Sequence, residues 1–269
     1  MADRVRCEIN DGVADVRLSR PEKLNALDDA MFTAIAETGE SLHDTPGLRA
    51  VVLSGEGRSF CSGLDRTAFR AMADGRNWRP TGADAPSPEG LSRGQRAVWV
   101  WHTLAVPVIA AVRGHALGGG LQLALGADIR IVAPDAVLSV LEIRWGLTPD
   151  MGGTQLLPRL VGPDVAAELS WTGRSVGAEE AVRIGLATRT ADDPYAAAHE
   201  MAATIAGRNP AAIRTAKRLI ELSYTGTPEE GLAAERASLR AIMGSPNQRE
   251  AAAAALEQRT PTFTDGADA

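Results

Sequence analysis

The chain reads as an α/β protein that ends in a helical region, and three observations predict this. Short alternating strands recur with helices between them through the first two thirds of the sequence. The apolar run Val106-Pro107-Val108-Ile109-Ala110-Ala111-Val112 has the composition of a strand covered on both faces. From about Asp193 the sequence becomes alanine-rich with helical spacing, broken at Pro210, Pro228 and Pro246. The expected division is therefore an α/β unit at residues 1–192 and a helical region at 193–269. Of the 269 residues 45% are hydrophobic and 23% charged, which suits a globular protein with a large core.

Taken in order, Val5–Ile9 and Val13–Leu18 alternate apolar and polar residues around Asn10-Asp11-Gly12, the pattern of a hairpin. A helix is expected from about Asp28 to Leu42, capped by Asp28 or Asp29, with Met31, Ile35 and Leu42 along one side. The next strand, Leu48 to Ser54, closes on the turn Gly55-Glu56-Gly57. Residues 73–94 carry Gly75, Pro80, Gly82, Pro86, Pro88, Gly90 and Gly94 with few core-forming side chains, and read as a long mobile loop of the kind that often serves function. A short helix at Gln95–Leu104, the apolar strand and a further strand at Ile129–Val132 follow. The tail should hold four helices, including Ala211–Leu222 and Pro228–Met243, whose alanine-rich faces suit packing on the main unit or on another subunit. No tandem repeat is visible, but the recurring strand-strand-helix units are compatible with a spiral.

Several classes of function are excluded at this level. No run approaches the roughly 20 apolar residues that span a bilayer, and the N-terminus lacks the apolar stretch of a signal peptide, so a cytoplasmic protein with no membrane partner is expected. Cys7 and Cys61 are then expected as reduced thiols. A formal net charge of −6 argues against nucleic acid. An anionic small ligand stays open, held by helix N-termini or a few Arg and Lys side chains. His43, His102 and His199 have no partner acids at metal spacing, and no metal or separate cofactor is expected.

The most informative stretch is Val112-Arg113-Gly114-His115-Ala116-Leu117-Gly118-Gly119-Gly120-Leu121-Gln122-Leu123, an apolar strand running through a glycine cluster into a helix. Such a turn exposes backbone N–H groups at the positive end of a helix and suits an oxyanion; tight packing alone also explains the glycines. The spacing fits neither a dinucleotide fingerprint nor a P-loop. A second small-residue turn, Arg58-Ser59-Phe60-Cys61-Ser62-Gly63-Leu64-Asp65, again precedes a helix. Two such turns can converge two N–H groups into an oxyanion hole, in which one donor is worth about 3–4 kcal/mol in a transition state.

In order, Arg20-Pro21-Glu22-Lys23-Leu24-Asn25-Ala26-Leu27, then Phe60 to Asp65, then Gly114 to Gly120, then Glu142 through Thr154, resemble the enoyl-CoA hydratase/isomerase family, the crotonases. Arg249-Glu250 and Arg259-Thr260-Pro261-Thr262-Phe263 resemble its C-terminus, so the likeness covers about residues 4–263. The resemblance implies a crotonase spiral of ββα units with a C-terminal helical trimerisation region, and a homotrimer or homohexamer. It implies an acyl-CoA thioester substrate whose CoA is no separate cofactor. The thioester oxygen would lie between the N–H groups of Leu64 and Gly119. Ser62 and Asp65 match the CoA adenine region and Lys23 a CoA-contacting position, against which Lys23, like Arg20, also reads as a solvated surface residue.

Catalytic carboxylates divide the family. Its hydratases activate a water with two glutamates, and this chain departs at the first, where Gln122 can orient a group but cannot exchange protons at neutral pH. The second matches Glu142, flanked by apolar Val140, Leu141 and Ile143 in a setting expected to raise its pKa and make it the base. Asp150 matches an aspartate of the family's dienoyl-CoA isomerases, and equally suits the cap of a helix starting near Met151. His115 is expected to pack or bond to backbone rather than to act as a base. Trp99, Trp101 and Trp145 suit either an acyl pocket or the core; the core is expected for Trp99 and Trp101 but not for Trp145, which lies next to the catalytic segment. The expected activity is enoyl- or dienoyl-CoA double-bond isomerisation. The alternatives are hydration of trans-2-enoyl-CoA and a non-catalytic acyl-CoA-binding role.

Overall fold

A computed structural model describes residues 3–76 and 90–265. The hairpin pairs β1 (Val5–Asn10) with β2 (Val13–Leu18) in antiparallel register from Val5↔Leu18 to Asn10↔Val13. Only Asp11 and Gly12 remain in the loop, both with positive φ, the backbone a tight primed turn requires. Chain strands β3 (Ala50–Gly55), β4 (Val108–Val112), β6 (Ile129–Val132) and β9 (Arg189–Thr190) then add in parallel, giving a six-stranded sheet of order β1-β2-β3-β4-β6-β9.

Helices cover both faces of this sheet. Helix α1 (Asp29–His43) is N-capped by Asp28, whose carboxylate accepts from the Met31 N–H at 2.9 Å, and buries Met31, Ile35 and Leu42. It crosses α3 (Arg93–Thr103) at Gly39, where a Cβ would come within 2.5 Å of Val100. On the opposite face Ala198, Ala202 and Ala206 of α8 (Pro194–Ala206) form a second apolar layer with Val52, Ile109 and Ile131. The first helix of the tail is thus part of the α/β core. The three that follow, α9 (Pro210–Thr225), α10 (Pro228–Ile242) and α11 (Pro246–Leu256), leave Ile220, Tyr224, Leu232, Leu239, Met243 and Leu256 exposed. Among the described residues no helix is long and apolar enough to cross a membrane.

The stretch from Val106 to the glycine cluster is two strands rather than one. At Gly114, φ +59°, the chain passes so close to Arg58 that a Cβ would lie 2.2 Å from its carbonyl oxygen. It then leaves the large sheet and enters a second one, β5-β7-β8, built from β5 (His115–Leu117), β7 (Val137–Ser139) and β8 (Val176–Gly177). Of the stretch 73–94, read as a mobile loop, residues 77–89 lie outside the described residues. The flanks are partly helical, with α2 (Arg66–Ala73) ending at Ala73 and α3 starting at Arg93 behind a Ser92/Gln95 capping box. Cys7 and Cys61 are free thiols; burial pushes Cys61 up to about 12, and its Sγ donates to the Asn25 carbonyl.

Candidate active site

The site grows from one register. A parallel bridge joins Cys61 to Ala116, and a second joins Leu27 to Leu64, so the segment 60–65 runs as an extra strand beside β5. Three residues beyond the first bridge, the two chains reach Leu64 and Gly119 together. Their closeness shows at Gly63, where a Cβ would sit 2.5 Å from the Leu117 carbonyl oxygen and 3.7 Å from the Gly119 nitrogen. Leu27 bonds to its neighbours on either side of Leu64, donating to the Gly63 carbonyl at 2.8 Å and accepting from Asp65 at 3.0 Å. The peptide N–H of Leu64 therefore points away from Leu27. Gly119 opens α4 (Gly119–Leu125), and the first N–H groups of a helix have no partner within it. Both residues line one cavity of about 940 Å³.

Glu142 begins a 3-10 turn, Glu142–Trp145, directly after β7, and lines the same cavity next to the glycine turn. A Cβ on Gly118 would lie 3.4 Å from its Oε1. The residue is 8% exposed. Its Oε1 accepts from Gln122 Nε2 at 2.6 Å, while its Oε2 is buried without a hydrogen-bond partner among the described residues. Burial is the largest influence on this carboxyl and pushes it above the usual carboxylate range. The charge of Asp150 pushes the same way, and the Gln122 amide and the backbone N–H groups of Glu142 and Leu141 oppose it.

Gln122 does not face the cavity. It is 1% exposed on α4, and its Oε1 accepts from the N–H of Met151 at 2.9 Å and of Gly153 at 3.0 Å. Two donors on the oxygen fix the amide orientation and turn the NH₂ towards Glu142. Asp150 is exposed and lines the cavity. The helix after it, α5 (Gly153–Val161), has Gly152 at its cap position, so the sequence assignment of that cap to Asp150 does not hold.

At the mouth Lys23 is exposed and lines the cavity, and its carbonyl accepts from the Ser62 hydroxyl at 3.4 Å. Asp65 lines the cavity as well but is 7% exposed and fully engaged. It caps α2 through the Thr67 N–H at 2.9 Å and pairs with Arg20 at 2.5 Å. Burial opposes the Asp65 charge, and the bonds from Thr67 and Arg20 outweigh it, so its pKa is lowered. Arg20 is therefore a half-buried, ion-paired cation that also reaches Asp28, not a freely solvated one. His115 sits outside the cavity, with Nδ1 3.1 Å from the Ser59 hydroxyl. Trp101 is buried and Trp99 packs on the core, as expected. His102 and His199 each meet a single acid, Glu221 at 3.4 Å and Asp15 at 3.6 Å.

Sequence reasoning singled out Trp145 for the cavity's other wall but missed its partners. Phe69 of α2 stacks on Trp145, ring centroids 3.9 Å apart and planes 18° from parallel. Met151 closes over the glycine turn, its Sδ only 2.8 Å from a Cβ placed on Gly119. The helical spacing of Ala68, Phe69 and Met72 gave no sign of which face would meet a cavity.

An amide at the start of α4 and a second on the neighbouring strand segment, beside a buried, half-bonded carboxylate, form an arrangement able to stabilise an enolate oxygen while a proton moves at carbon. Comparison with known proteins gives this arrangement a family. The enoyl-CoA hydratase/isomerase family model matches residues 8–266. The "Probable enoyl-CoA hydratase echA8" of Mycobacterium tuberculosis is 34% identical over 97% of this chain and 98% of its own. The 1,2-epoxyphenylacetyl-CoA isomerase of Escherichia coli is 34% identical over 98% of this chain and 99% of its own. The crystal structure of an enoyl-CoA hydratase from Bacillus anthracis superposes with a TM-score of 0.87 at 30% identity, covering 98% of this chain and 100% of that one. The chain belongs to the enoyl-CoA hydratase/isomerase family and has its crotonase fold.

Proposed function

We propose that this enzyme moves double bonds in enoyl- or dienoyl-CoA thioesters, with Glu142 as the proton-transfer group. The observation that carries the reading is the asymmetric environment of the Glu142 carboxylate. One oxygen is tied to Gln122, and the other has no hydrogen-bond partner among the described residues, in a residue that lines the cavity beside the two amides. Glu142 takes a proton from the α-carbon of a 3-enoyl thioester, and the negative charge passes to the thioester oxygen between the N–H groups of Leu64 and Gly119. The same carboxyl returns the proton at the γ-carbon as the double bond shifts. In a 3,5-dienoyl thioester the proton is returned two carbons further along, where Asp150 supplies a second acid.

Hydration needs a second group that exchanges a proton with water. At that position stands Gln122, held by two backbone donors and withdrawn from the cavity. Lys23, Ser62 and Asp65 are assigned to the CoA side of the cavity, Asp65 through the turn that it holds. The exposed apolar residues of α9 to α11 are assigned to contacts between subunits of a trimer, single or paired into a hexamer.

Turnover of trans-2-enoyl-CoA, 3-enoyl-CoA and 3,5-dienoyl-CoA, measured side by side with the wild type and Glu142→Gln, tests the assignment. The expected result is consumption of the 3-enoyl or 3,5-dienoyl substrate, nearly abolished in the variant. Efficient hydration of trans-2-enoyl-CoA with the other two untouched would move the assignment to the hydratases.

A further inference from the structure

We infer that the acyl end of this cavity selects a planar, ring-bearing acyl group, stacked on the face of Trp145 that Phe69 leaves open; the inference rests on the acyl-thioester reading above. Glu142 and Trp145 are the first and last residues of one 3-10 turn. In that geometry side chains three residues apart eclipse each other, so the indole stands on the same side of the turn as the carboxylate, about 6 Å along its axis. A chain whose α-carbon lies at Glu142 therefore passes the indole next.

The wall it meets is flat and fixed. Trp145 and Phe69 stack at 3.9 Å, so each ring holds the plane of the other. Phe69 lies one turn inside α2, whose start is anchored by the Asp65 cap and its pair with Arg20. Leu64 and Phe69 occupy the N′ and N4 positions on either side of that cap, so the residue of the proposed oxyanion amide and the aromatic wall belong to one short anchored segment. Met72 and Leu147 continue the apolar lining.

Trp145 remains 51% exposed while lining the cavity, whereas Trp101, a tryptophan used for packing, is 0% exposed. Indole surface left open inside a cavity is what an apolar ligand covers. A saturated chain covers a stripe of it, and a second ring covers the whole face and adds the preference of π-systems for offset stacking. A ring carried near the γ-carbon meets Trp145 without disturbing the α-carbon at Glu142.

The test is equilibrium binding of two saturated, unreactive thioesters, 4-phenylbutanoyl-CoA and 4-cyclohexylbutanoyl-CoA, to the wild type, Trp145→Leu and Phe69→Leu. The two rings match in carbon count and apolar bulk and differ in flatness and π-character. The wild type is expected to bind the phenyl compound about two- to tenfold more tightly, the range that one aromatic pair adds beyond burial. Trp145→Leu should bring that ratio close to one, and Phe69→Leu, which frees the indole plane, should lower it part of the way. Trp145 is half exposed, so its replacement leaves the core intact. Equal affinities in the wild type, or a ratio that survives Trp145→Leu, would overturn the selectivity and leave the acyl-thioester reading standing. Failure of both thioesters to bind would overturn that reading and the selectivity together.

Discussion

Replacing Gln122 by leucine tests whether this residue sets the chemistry of Glu142 or merely fills the core. The two side chains are close in volume, so the change removes polar contacts without opening a cavity. Three hydrogen bonds are lost, one to Glu142 Oε1 at 2.6 Å and two from the N–H groups of Met151 and Gly153. The two backbone donors are left buried and unpaired at about 1–3 kcal/mol each, a loss of about 2–6 kcal/mol. That is a large share of the roughly 5–15 kcal/mol that keeps a domain folded. The carboxylate loses the neutral donor that favours its charged form, so the Glu142 pKa, already raised by burial, rises further. As the proposed base, Glu142 would act only when ionised, and the acid limb of kcat/KM should move to higher pH. Stability changes with pH in the matching sense. A folded-state pKa above the unfolded value adds stability that is complete below the unfolded pKa and lost as pH rises through the folded one. The deficit of Gln122→Leu should therefore be larger at neutral than at mildly acid pH, read by urea unfolding. A loss of stability with an unmoved acid limb would refute the link and reduce Gln122 to a brace for residues 151–153.

Gly119→Pro removes the proposed oxyanion donor at the first residue of α4, a position that suits proline once the Met151 and Leu27 side chains move aside, and should lower turnover about 10²–10³-fold in protein shown to be folded by circular dichroism. Undiminished turnover in a folded variant would remove Gly119 from the hole. Asp150→Asn should slow 3,5-dienoyl-CoA more than 3-enoyl-CoA, since the longer shift delivers its proton further from Glu142; equal effects in paired assays would argue against that role. Light scattering should give a mass of three or six chains, and a monomer at micromolar concentration would count against assigning α9 to α11 to subunit contacts.

The hairpin was legible because Asp11-Gly12 imposes a turn whose loop length fixes the register. Helix α1 was legible because its cap and its apolar spacing agree, as was the tail, where proline opens each of the four helices. The break at Gly114 was not. Periodicity describes neighbours along the chain, and the step between sheets is dictated by the close approach of Arg58, 56 residues earlier. How the helices beyond residue 193 pack was not legible either, for the same reason. The small faces of Ala198, Ala202 and Ala206 let α8 lie close on the sheet, and the sequence had left open whether the tail meets the main unit or another subunit.

The same distinction separates the parts of the site. Its backbone half was readable, because glycine turns before helices have few uses, and the Cys61↔Ala116 bridge brings Leu64 level with Gly119. Its side-chain half depends on contacts across the fold. Glutamine at position 122 first signals only a missing acid. In the folded chain the N–H groups of Met151 and Gly153 occupy its oxygen, and the remaining amide hydrogens have Glu142 to meet. The substitution that removes a proton carrier therefore also fixes the direction of the carboxylate that remains. A neutral donor offsets part of the burial that raises the Glu142 pKa, and it does so without a second charge. On the proposed reading, such a site uses one carboxyl to take and return a proton at carbon, where a hydratase uses a pair to split water.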